Sequence, residues 1–186
     1  MSENFLVVGI GNPLYGDDAI GPLLAEAFAE CGVRAVNAEL DAFTVASYLE
    51  GVELVIFIDV FDQSYGKVGD LVKVRLDPKL LSPEEVAEFL SRDTGAHNVS
   101  PAHVAVLAYA SGRFKGDVWV IGPVAANTSF GTPPSFETVN KVREIIREVS
   151  EILNLYLDEK CILESFNNKF EELRNYIWRN QKASPI

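Results

Sequence analysis

The sequence predicts an α/β fold: three layers, α/β/α, around a mostly parallel five-stranded sheet that contains one antiparallel strand and carries helices on both faces. Three observations lead there. Short apolar runs rich in β-branched residues alternate along the chain with stretches of helical periodicity, the pattern of a parallel sheet wound with helices. The most apolar run, Leu54-Val55-Ile56-Phe57-Ile58, shows no polar alternation and so predicts a central strand buried on both faces. The stretch from Asp70 to Leu76 does alternate, as a strand with one wet face does. About ten residues separate it from the central strand, too few for a helical crossover, so these two are expected to pair antiparallel.

Taken in order, Phe5 to Ile10 is an apolar run closed by glycines and predicts a first buried strand. From Ala19 to Cys31 the residues Ile20, Leu23, Leu24, Ala27 and Phe28 recur at helical spacing, and Gly32 is the stop. A second strand is expected across Val33 to Leu40 and a short helix across Thr44 to Leu49. Ser82-Pro83-Glu84-Glu85 combines a capping serine, a proline at the first helical position and a glutamate at the third, which predicts a helix to about Ser91. Ser100-Pro101 repeats the cap and proline for a helix that Gly112 ends, and Val118 to Ile121 is the last strand. The loop from Gly122 to Pro134 is long and rich in Pro, Gly and Asn, a type often functional. One helix is expected from Ser135 to about Leu157, and a further amphipathic helix, with Ile162, Phe166, Phe170, Leu173 and Ile177 as its stripe, in the tail. The chain thus divides into an α/β domain over residues 1–157 and a C-terminal helical extension over residues 158–186, read as an appendage to the core.

Charge narrows the function classes. The 186 residues hold 27 acids against 16 bases, a net charge of -11. That opposes the electrostatic attraction behind nucleic-acid binding and binding to anionic membrane surfaces. No apolar run approaches the roughly 18 residues of a membrane span, and Met1 to Asn4 lack the features of a signal peptide. Two cysteines, Cys31 and Cys161, suit a reducing compartment, so a cytoplasmic protein is expected, with Cys31 a core residue on its apolar stripe.

The first loop, Gly9-Ile10-Gly11-Asn12-Pro13-Leu14-Tyr15-Gly16-Asp17-Asp18-Ala19-Ile20-Gly21, invites a dinucleotide reading that its chemistry rejects. Leu14 stands where the third glycine belongs, Pro13 removes a backbone donor, and Asp17 and Asp18 put negative charge where a pyrophosphate would sit. One aspartate, Asp17, suits an N-cap role; two are more than capping requires. Asp59 follows the central strand directly, at the carboxyl edge of the sheet where wound α/β folds bind ligands. His97 lies in a polar loop before the helix capped by Ser100, whereas His103 falls inside that helix among alanines and valines and reads as packing. The topology gathers the segments of Asp18, Asp59 and His97 at one rim. Two carboxylates and an imidazole form a mixed oxygen and nitrogen set with open positions, suited to borderline divalent metals such as nickel, iron, manganese or zinc. Common hydrolase signatures are absent, and no serine or cysteine nucleophile stands out.

With these residues in view, the chain resembles the hydrogenase maturation endopeptidases, which remove a C-terminal extension from the precursor of a nickel-iron hydrogenase large subunit. The loop from Gly9 to Gly21, with both acids, is similar to that family's glycine-asparagine loop. Asp59 matches its aspartate after an apolar strand, and His97-Asn98-Val99-Ser100 its histidine before a helix. The resemblance covers roughly Phe5 to Leu157. It implies that Asp18, Asp59 and His97 bind nickel and carry the catalytic role, that the nickel is presented by the substrate rather than held permanently, and that the partner is the large-subunit precursor. It departs at Asp41-Ala42-Phe43-Thr44, where the family has an aspartate followed by two glycines. The competing readings are a nickel carrier or sensor without hydrolysis and, opposed by the loop, a nucleotide-dependent enzyme.

Overall fold

A computed structural model describes residues 4–38, 42–91 and 100–183. The strands are β1 (Phe5–Ile10), β2 (Ala35–Ala38), β3 (Leu54–Ile58), β4 (Leu71–Leu76) and β5 (Asp117–Pro123). The helices are α1 (Ile20–Glu30), α2 (Ala42–Tyr48), α3 (Pro83–Ser91), α4 (Pro101–Ala110), α5 (Phe136–Val139), α6 (Val142–Leu153) and α7 (Glu159–Ala183). The sheet order is β2-β1-β3-β5-β4, parallel except for β4. This is the predicted α/β fold, with β3 at its centre.

Alternation along the central strands feeds two cores. Leu54, Ile56 and Ile58 point into one with Val7 and the apolar stripes of α1, α6 and α7. Val55 and Phe57 point into the other with Leu6, Val8 and residues of α2 and α4. A strand buried on both faces has no polar side to alternate with, which is why β3 reads as one apolar block. The capping signals also materialise. The Ser82 backbone N–H donates to the Glu85 carboxylate while the Glu85 N–H donates to Ser82 Oγ, and Ser100 Oγ accepts from the His103 N–H at 3.1 Å.

Three expectations need correction. β4 is antiparallel, but its partner is β5 rather than β3. β5 inserts between them, so the connection leaving β3 steps over one strand position to the sheet edge. The single helix expected after Ser135 is two, α5 and α6, and α6 stops at Asn154, whose φ of 51° leaves the helical region before Leu157 is reached.

The third concerns the tail. The expected helix forms as α7, but it is packed rather than appended: Ile162, Phe166 and Ile177 are buried, the first two in the core shared with α1. Lys169 bridges Glu26 and Glu30 of α1 at 3.3 and 2.6 Å. Cys31, at the end of α1, and Cys161, in the first turn of α7, form a disulfide across a sequence separation of 130. The cysteines are therefore a covalent staple rather than free thiols, with Cys31 packed against the core. A loop of that size, closed in the unfolded chain, contributes roughly 4–5 kcal/mol in the chain-entropy picture. Among the described residues, no helix is long and apolar enough to cross a membrane.

Candidate metal centre

The site is built where β1 and β3 end side by side. β1 passes into its loop through Gly11, whose φ of 132° suits glycine and whose added Cβ would stand 2.0 Å from the Asp18 carbonyl oxygen. The loop then folds on itself. Asn12 Oδ1 accepts the Leu14 N–H at 3.0 Å, and the Asn12 N–H donates to Asp18 Oδ2 at 2.7 Å. A backbone donor that a phosphate would have needed is thus given to a carboxylate of the same loop, in keeping with the rejected dinucleotide reading. Gly21 then lets α1 lie close against the sheet, since a Cβ there would meet the carbonyl oxygens of Ile10 and Ile58 at 2.2 and 2.5 Å.

The two adjacent acids go to opposite fates. Asp17 is fully buried and is not an N-cap; its bonds cross to the loop after β5. Its Oδ2 accepts the N–H groups of Ala126 and Asn127 at 2.7 and 2.8 Å, and its Oδ1 accepts the Ser135 N–H at 2.6 Å and the Thr138 hydroxyl at 2.8 Å. Burial alone would raise its pKa, but the bonds from Ser135, Asn127 and Thr138 outweigh it and hold the carboxyl below its ordinary value. Asp17 is therefore an ionised clamp between two loops.

Asp18 stays within its own loop instead, accepting the Asn12 N–H. Burial raises its pKa, opposed by the one bond from Asn12. Asp59, at the end of β3, is pushed up to about 8, first by burial and then by the charge of Asp18, against the opposing bond from the Val60 N–H. That bond, to Oδ1, spans 2.8 Å. The charge of Asp18 thus reinforces burial in raising the proton affinity of Asp59. Asp18 lies close enough to Asp59 for its charge to act on it. His97, the third expected residue, lies outside the described residues, as does Asp41. Among the described residues alone no set of three metal-ligating side chains gathers.

Sequence reasoning missed Gly122. A Cβ on this β5 residue would stand 1.5 Å from the Asp59 carbonyl oxygen, so β5 closes on the end of β3 only because position 122 has no side chain. The signal was there in the Gly-Pro that ends the strand. Gly122→Ala is expected to lower stability by about 3 kcal/mol, read in urea unfolding, and to displace Asp59.

A wound α/β sheet with Asp18 and Asp59 at its carboxyl edge defines the class: a fold that places ligands outside the ends of its parallel strands. No protein-family model matches the chain and no curated protein does. Solved structures do. The hydrogenase 2 maturation peptidase from Thaumarchaeota archaeon SCGC_AB-539-E09 is similar at 27% identity with a TM-score of 0.60, over 83% of this chain and 100% of that one. The hydrogenase maturating endopeptidase HybD of E. coli superposes with a TM-score of 0.64 at 18% identity, over 81% and 92%. The maturation protease HybD of Thermococcus kodakarensis gives 0.59 at 24%, over 80% and 98%. The fold is that of the hydrogenase maturation endopeptidases.

Proposed function

We propose that this protein is a nickel-dependent endopeptidase that removes the C-terminal extension of a nickel-iron hydrogenase large-subunit precursor after metal insertion. The observation that supports this reading is the placement of Asp18 and Asp59, the charge of the first acting on the second, at the carboxyl edge of a fold shared with hydrogenase maturation endopeptidases. The nickel is part of the substrate. Asp18 and Asp59, with His97 as the third member, receive it as ligands, their oxygens oriented by the N–H groups of Asn12 and Val60. A metal held between enzyme and peptide can polarise the scissile carbonyl, activate a water or fix the peptide's register. A nickel ion carried by the precursor supplies the positive charge that lets Asp59 give up its proton beside Asp18, so a loaded precursor gains a contact that an unloaded one lacks. Cleavage is thereby licensed by metal insertion. The reading carries the cytoplasmic setting with it, and the Cys31–Cys161 bridge accords with that in organisms whose intracellular proteins keep disulfides, as hyperthermophiles do.

The test is to incubate the purified protein with its cognate precursor, nickel-loaded and nickel-free, and weigh both. Loss of a C-terminal peptide from the loaded form alone is expected. An unchanged mass of the loaded, cognate precursor would overturn the reading. Tight stoichiometric nickel binding by the protein without cleavage would assign it to the carriers and sensors instead.

A further inference from the structure

The carboxyl edge that holds the two carboxylates also holds large apolar side chains turned to solvent. Tyr15 is 41% exposed, Tyr65 58%, Phe130 68% and Phe136 76%. They come from three different connections, the loops after β1, β3 and β5, yet all lie at the same end of the sheet. We infer that Tyr15, Tyr65, Phe130 and Phe136 form the docking surface for the metal-loaded precursor, an aromatic frame around Asp18 and Asp59. This rests on the function proposed above and names the partner-binding residues of that site.

Tyr15, Phe130 and Tyr65 are held in place rather than free to collapse. The Gly16 N–H donates to the Thr132 carbonyl at 3.0 Å and the Gly131 N–H to the Leu14 carbonyl at 2.7 Å, zipping the first loop to the third. The Ala125 N–H donates to the Phe61 carbonyl at 2.8 Å, zipping the second loop to the third. Tyr15 and Phe130 meet edge to face with centroids 5.3 Å apart, and Phe61 supports Tyr65 in the same way at 5.0 Å. Gln181 of α7 donates to the Gly131 carbonyl at 2.7 Å, so the tail braces the same loop from outside. Aromatic side chains fixed in an exposed position gain contact area on binding with little further loss of conformational freedom, as interface anchors do.

Charge identifies the occupant. Apart from the buried Asp17, the three loops, residues 11–19, 59–70 and 124–138, hold Asp18, Asp59, Asp62, Asp70 and Glu137 against the single base Lys67. Such a surface suits a partner that brings a cation to the centre and apolar chain around it. A free hydrated ion gains nothing from the aromatic frame, so the frame fits a protein that carries the metal.

The test uses the full chain and the nickel-loaded precursor. Phe130→Ser/Phe136→Ser should raise KM by about tenfold or more with kcat within about twofold, and weaken precursor binding in interferometry by a similar factor. Tyr156→Ser, 96% exposed beyond the far end of α6, should change neither. Thermal melts confirm that both variants fold. Unchanged KM and unchanged binding in the double variant would overturn the docking surface while leaving the peptidase reading standing. A wild-type protein that does not cleave overturns the peptidase reading, and the binding arm then decides the surface: equal affinity of wild type and double variant, or no affinity in either, sinks it.

Discussion

Asp18→Asn is expected to abolish processing, by about two orders of magnitude or more, while the protein stays as stable as the wild type or becomes slightly more so. The Asn12 N–H still finds an oxygen acceptor at position 18, and the substitution removes a charge that burial disfavours. Asp17→Asn should show the opposite signature. Both carboxylate oxygens of Asp17 accept two bonds each, so an amide placed there turns its NH2 against at least one backbone N–H whichever way it is oriented. A loss of about 3 kcal/mol follows from a buried donor facing a donor. Read as a cap, position 17 would tolerate asparagine with little effect. The observed clamp makes that exchange damaging, and any fall in activity should follow from loosening of the 124–138 loop. Urea unfolding and precursor cleavage, measured on both variants, separate the roles. Equal loss of stability in the two would show that the division between clamp and ligand is wrong.

The second large effect is on pH. Asp59 has a folded-state pKa of about 8 against an ordinary 3.8, so at neutral pH the folded protein keeps a proton there that the unfolded chain has released. Its contribution to stability is complete below the unfolded value and is lost as pH rises through about 8. The slope approaches about 1.4 kcal/mol per pH unit between those limits, which sums to a few kcal/mol. Asp59→Asn, which keeps an oxygen acceptor for the Val60 N–H, should remove that slope. Thermal melts of the metal-free proteins from pH 5 to 9 should therefore converge at the acid end and separate toward the alkaline end, with the variant higher. Parallel curves would contradict the arrangement of the two carboxylates. Asp17, whose pKa is lowered, acts at the other extreme: its stabilisation is present above the ordinary carboxylate value and disappears as pH falls through its own.

Much of the site was legible because its chemistry is local. Asp59 follows an apolar strand directly and Asp18 lies in the loop between β1 and α1, and in a wound sheet both positions fall at the carboxyl edge. Gly32 and Gly112, both at positive φ, end α1 and α4 where the sequence stops them, and the Ser82 and Ser100 caps form as read. Failures came where the answer depends on residues distant in sequence. Asp17 bonds to partners 109 to 121 positions away, a relation that no spacing within its own loop encodes. The pairing of β4 with β5 depends on which strand slot a connection crosses, and alternation marks a strand's wet face without naming its neighbour.

The tail shows the same boundary. Its apolar stripe at helical spacing is enough to specify a helix, because the period is a property of consecutive residues. Where that stripe is buried is a property of the assembled chain: α7 lies along α1, and only that packing carries Cys161 to Cys31 and Gln181 to the loop beside the carboxylates. The sequence by itself determined the layers, the strand that lies at the centre and the two aspartates at its rim. The tertiary structure decided which of the paired acids is the clamp, what the cysteines do, and that aromatic residues from three loops share one face with Asp18 and Asp59. Those decisions rest on contacts closed over more than a hundred residues, where local propensity carries no information.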